Sequence, residues 1–165
     1  VTKFLLTVHV LAAIVAIGPV TVAASMFPPA ARRALAAPDD LRAVETVRLL
    51  LRICRVYAAV GVAVPAFGFA TAKNMGVLGD PWLIASIALT ALAAVLLVAL
   101  VLPRQAAIAE SFEERRAAGD GGVTDAPAVT RRATVQLAMF TGVFNLLWAT
   151  VTVLMIVRPG STTGA

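Results

Sequence analysis

The chain has few of the residues on which cross-linked and catalytic proteins rely. Cysteine occurs once, as Cys54, so no intrachain disulfide can form. Histidine occurs once, as His9, so two histidines of one chain cannot hold a metal or a haem iron. Lysine is confined to Lys3 and Lys73, against twelve arginines. No P-loop, Rossmann glycine motif, zinc-ligand pair or nucleophile elbow is present, and no catalytic constellation can be assembled from the residues. No basic run is interleaved with aromatics, which argues against nucleic acid even at a pI near 10.7.

Charge is missing where its absence means most. Phe4–Ala31, Val56–Ala72, Pro81–Pro103 and Ala133–Val157 contain no Asp, Glu, Lys or Arg. In lipid every charge is costly and every backbone polar group needs an internal partner, so such runs predict membrane-spanning helices. The chain is 60% hydrophobic, with a mean hydropathy of +0.91, above the range of ordinary soluble domains. The expected fold is all-α: a polytopic membrane protein with four transmembrane helices in an antiparallel bundle. One domain covers residues 1–165, with spans at about 4–27, 54–73, 81–103 and 133–157 and connections at 28–53 and 104–132. No ion pathway is indicated, because no ionised residue lies within a span.

Local signals place the element ends. Gly18-Pro19 predicts a bend in span one, and Pro28-Pro29 predicts its end. Lys3, the apolar run and the small residues Val22-Ala23-Ala24 also fit a signal peptide, but the run is long for one, and a retained first span is expected. Pro38-Asp39-Asp40 predicts the start of a helix running to Ala72, kinked by Pro65. Arg52 and Arg55 can snorkel to lengthen its short apolar part. Asp80-Pro81-Trp82 predicts the start of span three, with Asp80 as cap and Trp82 at the interface. That helix is expected to pass Pro103 and run through Glu110–Ala118 to Gly119-Asp120-Gly121-Gly122. Thr124-Asp125 with Pro127 restarts a helix that ends at Arg158-Pro159-Gly160, and Ser161–Ala165 should be a loose tail.

The basic residues predict orientation. Arg32, Arg33, Arg42, Arg48, Arg52 and Arg55 lie between spans one and two, and Arg104, Arg115, Arg116, Arg131 and Arg132 between spans three and four. Eleven of the fourteen basic residues therefore share one side, which the positive-inside rule makes cytoplasmic, leaving both termini outside. The abundance of Arg, Ala and Val points to a GC-rich bacterial genome, and the cytoplasmic (inner) membrane is the expected location.

Few side chains offer chemistry. His9 lies in span one near its outer end, and Met155 lies at similar depth on span four, so the pair is a candidate for binding a cofactor such as haem. The alternative for His9 is a structural bond to a backbone carbonyl. Asn145, the most central amide, is expected to bond across helices, with a substrate or quinone contact as the sharper alternative. Arg42, Arg48, Arg52 and Arg55 form one helical stripe, with Glu45 placed to pair with Arg48. The stripe is read as an anchor on anionic lipid headgroups or a docking face for a partner. Glu110, Glu113 and Glu114 read as a solvated face able to pair with that stripe and join the two hairpins. Ala12, Ala13 and Ala16, then Gly61, Ala63 and Gly68, then Ala88, Ala91 and Ala94 allow close helix approach, within the bundle or against other subunits.

The opening segment Lys3-Phe4-Leu5-Leu6-Thr7-Val8-His9-Val10-Leu11-Ala12-Ala13, followed by Gly18-Pro19, resembles the first helix of small bacterial four-span families of unknown function. Those families look related to copper-resistance protein D and to a haem-binding bacterial protoporphyrinogen oxidase. The resemblance implies a four-helix membrane architecture and makes His9 the position for a haem or metal role. The expected function is a non-catalytic accessory or stabilising subunit of a larger respiratory or transport assembly, with no obligatory cofactor. The alternatives are a haem- or quinone-binding redox protein using His9, and a small homo-oligomeric transporter.

Overall fold

The computed structural model describes residues 1–37, 40–118 and 126–160. All regular structure among these is helical: α1 Thr2–Ala36, α2 Leu41–Val60, α3 Ala63–Met75, α4 Pro81–Val95, a π-helical turn Leu96–Val101, α5 Leu102–Ala118 and α6 Ala126–Val157. They join into four rods long and apolar enough to cross a membrane: Thr2–Ala36, Leu41–Met75, Pro81–Ala117 and Arg131–Val157.

Proline shapes three of the rods, in different ways. α1 runs unbroken through Pro19, Pro28 and Pro29. This corrects the expectation that Pro28-Pro29 ends it, although two neighbouring carbonyls, those of Ala24 and Ser25, lose their α-helical N–H partners there. The predicted kink in the second rod falls at Gly61-Val62, between α2 and α3. Pro65 has no N–H for the carbonyl of Gly61 one turn earlier, and that carbonyl accepts instead from Val64 N at 3.1 Å. In the third rod the helix passes Pro103 as expected, but through a widened turn. Leu102 N–H bonds to Leu97 O, five residues back, just before the proline.

The caps follow the sequence only in part. Asp40 accepts from Arg42 N at 3.0 Å and caps α2. Pro38 and Asp39 lie outside the described residues, as do the Gly119–Gly122 stop, Thr124-Asp125 and the tail 161–165. Asp80 precedes α4 but makes no cap hydrogen bond. Its carboxylate accepts from the Trp82 indole at 3.0 Å. α6 ends at Val157, before Arg158-Pro159-Gly160 as expected.

Residue pairs fix the register. On α1 and α3, His9 meets Val64; on α2 and α5, Arg48 meets Glu113 and Cys54 meets Gln105. Arg104 lies 4.5 Å over Phe140 and Arg158 5.6 Å over Trp82. Across α2–α5, and across the third and fourth rods, one residue number rises as the other falls; rod one ends beside the start of rod two while His9 meets Val64, so sequential rods run antiparallel. α1 is central, packing on α2, α3 and α6, while α4 rests on α6. The largest buried core includes Phe27, Val47, Val101, Leu137 and Phe144. A second cluster of Ala72, Val77, Trp82 and Leu83 closes the end that carries Val1 and Gly160.

Candidate functional site

One set of polar side chains lines the seam between α1 and α6. Ser25, Pro28, Pro29 and Arg32 recur at helical spacing on α1; Ala138, Thr141, Gly142 and Asn145 do so on α6. Between them lies a cavity of about 280 Å³. Asn145 Nδ2 bonds to Ser25 Oγ at 3.0 Å across the seam. This is the interhelical bond expected of Asn145. Its other amide end, Oδ1, is buried with no partner, as is Thr141 Oγ1. Thr141 is only 3% exposed. One turn beyond Asn145 the Trp148 indole N–H is also buried and unpaired. The seam thus holds hydroxyl and amide groups with unused hydrogen-bonding capacity, and one cation, Arg32, at its loop end.

His9 occupies a different place, against α3. Nδ1 lies 2.9 Å from Val64 O. A carbonyl can only accept, so Nδ1 donates, and a neutral ring then leaves Nε2 as a bare lone pair. Gly68 makes the approach possible, because a Cβ there would stand 2.8 Å from His9 Cε1. Met155 packs at the Trp82–Leu83 cluster between α6 and α4.

A family model described as a predicted integral membrane protein (DUF2269) matches residues 3–159. The chain belongs to that family. No curated protein matches it, and no solved structure does.

In this DUF2269 protein the arginine stripe is split by its partners. Arg48 pairs with Glu113, not with Glu45, and so ties α2 to α5 as expected of the acidic cluster. Arg42 contributes its backbone to the Asp40 cap. No ion pair involves Arg52 or Arg55 among the described residues. The small residues also divide by element. Ala16 on α1 is buried and Ala12 and Ala13 are half-buried, whereas Ala88, Ala91 and Ala94 on α4 are all exposed. No group of three or more His, Cys, Asp or Glu residues among those described is placed to hold a metal.

Two polar features were not singled out by sequence reasoning. Ser25 and Thr141 look like ordinary helix hydroxyls, which usually bond the preceding turn. The available signal was the neighbouring Pro28-Pro29 and the matching three- and four-residue spacing on α6. Gln105 is fully buried, with Nε2 at 3.6 Å from Cys54 Sγ and Oε1 unpaired. Its place just beyond Pro103 concealed it within a connection.

Proposed function

We propose that this integral membrane protein is a non-catalytic accessory subunit that packs against a larger membrane partner. The reading places it in a bacterial cytoplasmic membrane, with spans near 4–27, 54–73, 81–103 and 133–157 and both termini outside. One observation carries it. Ala88, Ala91 and Ala94 form an outward stripe on α4, while the helix turns Trp82, Leu83, Ser86 and Ala93 into its own bundle. Helices in lipid associate by close backbone approach at small residues, so this stripe suits a partner helix better than acyl chains. Arg42, Arg52 and Arg55 on α2 supply an anchor on anionic headgroups.

The test is purification from native membranes in mild detergent, with subunit identification and an optical spectrum on one sample. A colourless preparation holding a larger subunit in fixed ratio, lost on Ala91→Leu, is the expected result. A single chain unaffected by Ala91→Leu in every detergent counts against an accessory role.

A second reading rests on His9. Its Nδ1 is held by Val64 O, which leaves Nε2 as the nitrogen for a ligand bond, and the resemblance of α1 to haem-binding four-span proteins favours the same residue. In that reading Met155 or a second chain supplies the opposite ligand. A Soret band abolished by His9→Ala would establish it.

A further inference from the structure

We propose that the α1–α6 seam is a binding site for one anionic phospholipid, its phosphate at Arg32 and its ester carbonyls at Thr141 and Asn145. The inference does not depend on the accessory role, nor on which end of the bundle faces the cytoplasm.

The first support is unmet hydrogen bonding. A polar group buried in lipid without a partner is strongly disfavoured, because nothing replaces the hydrogen bonds it made to water. Here Thr141 Oγ1 and one end of the Asn145 amide are both buried and unpaired, and both residues line the same cavity. Thr141 is 97% withdrawn from the surface, its relative exposure being 3%. The Asn145 amide stays half-used whichever way it is turned, because the Ser25 hydroxyl can accept from its nitrogen or donate to its oxygen.

The second support is the order of groups along the seam. Arg32 follows Ser25 by seven residues, which is about 10 Å along the helix axis. The cation therefore lies toward the loop end, and the hydroxyl and amide groups lie deeper. A phospholipid presents its features in the same order: a charged phosphate at the interface, then ester carbonyls below it, then chains. Phosphate and ester oxygens are acceptors only, which suits the O–H of Thr141 and the guanidinium of Arg32; Asn145 joins them with its amide turned so that Oδ1 accepts from the Ser25 hydroxyl and an Nδ2 N–H faces the cavity. A neutral quinone head would leave the arginine without a counter-charge.

The third support is access. Ser25, Arg32 and Gly142 are exposed, so the cavity opens sideways from the bundle. A lipid enters from the bilayer without the helices parting. Pro28 and Pro29 line the wall.

The experiment uses the full chain, delipidated in detergent, with dioleoylphosphatidylglycerol as probe. Binding is read by native mass spectrometry and by the thermal shift. The expected result is one retained lipid and a saturable rise in Tm, with dioleoylphosphatidylcholine bound about tenfold more weakly. Thr141→Val, which keeps the shape and removes the hydroxyl, should weaken binding about three- to tenfold, the worth of one hydrogen bond. Arg32→Gln should abolish the preference for the anionic lipid. Thr141→Ser should restore binding, which separates a lost contact from a lost fold. Equal binding of both lipids by the unmodified chain overturns the proposal. So does Thr141→Val binding like the unmodified chain. Inorganic phosphate alone giving the full thermal shift would overturn the lipid in favour of a free anion.

Discussion

At the scale of single residues, the polar side chains in the membrane region divide into those with partners and those without. His9 has one. Its bond to Val64 O depends on Gly68, whose missing Cβ leaves room for the ring. Gly68→Ala is therefore expected to push the imidazole off Val64 and lower stability by about 1 kcal/mol, the net worth of a neutral hydrogen bond. In a His9→Ala background the same substitution should cost almost nothing, since the crowded ring is gone. Thermal unfolding of the four proteins in one detergent measures that coupling. Equal costs in both backgrounds would separate Gly68 from His9. Sequence alone made His9 and Asn145 legible, because histidine and amide are rare in lipid and stand out singly. It left Ser25 and Thr141 illegible, because whether a hydroxyl spends its bond on its own helix is settled only by where the neighbouring helix lies.

At the scale of elements, four apolar rods could be read from the gaps in charge. What could not be read was how each proline would be absorbed. α1 carries Pro28 and Pro29 without ending, the second rod breaks a turn ahead of Pro65, and the third widens into a π turn ahead of Pro103. The outcome depends on packing around the freed carbonyl, which proline placement does not encode. Pro65→Ala should let the Gly61 carbonyl regain its ordinary partner and fuse α2 with α3. Slower amide exchange at Val62 and Ala63 is the expected readout, and unchanged exchange would place the cause of the break in Gly61 instead. The tie between the hairpins belongs to this scale too. Arg48 and Glu113 are 40% and 52% exposed, so their pair should contribute no more than about 1 kcal/mol. Arg48→Glu should lower Tm slightly, and adding Glu113→Arg should recover it, as a charge swap across α2 and α5 requires.

At the scale of the whole molecule, apolar side chains face outward and positive charge gathers toward one end. Large side chains such as Ile14, Val98, Leu146 and Ile156 point outward, which in water would make an extended sticky surface. In a bilayer the same residues face their proper solvent, as the family's description as integral membrane proteins requires. Antiparallel rods place both described ends, Val1 and Gly160, with the short turn before Asp80, and put the junction of α1 with α2 and the end of α5 at the opposite end. Eleven of fourteen basic residues lie between the first and second or between the third and fourth apolar runs, toward that end. If the positive-inside rule sets orientation, single cysteines replacing Lys3 and Gly79 in a Cys54→Ser background should react with an impermeant maleimide outside intact cells. Cysteines replacing Arg33 and Glu114 should react only after the membrane is opened. Arg48, Arg52 and Arg55 changed together to Glu should then produce a mixed population, with part of each site's labelling moved to the other side. Labelling that stays as in the unmodified chain would show that these three arginines do not hold the orientation, leaving it to Arg32, Arg33 and the second connection.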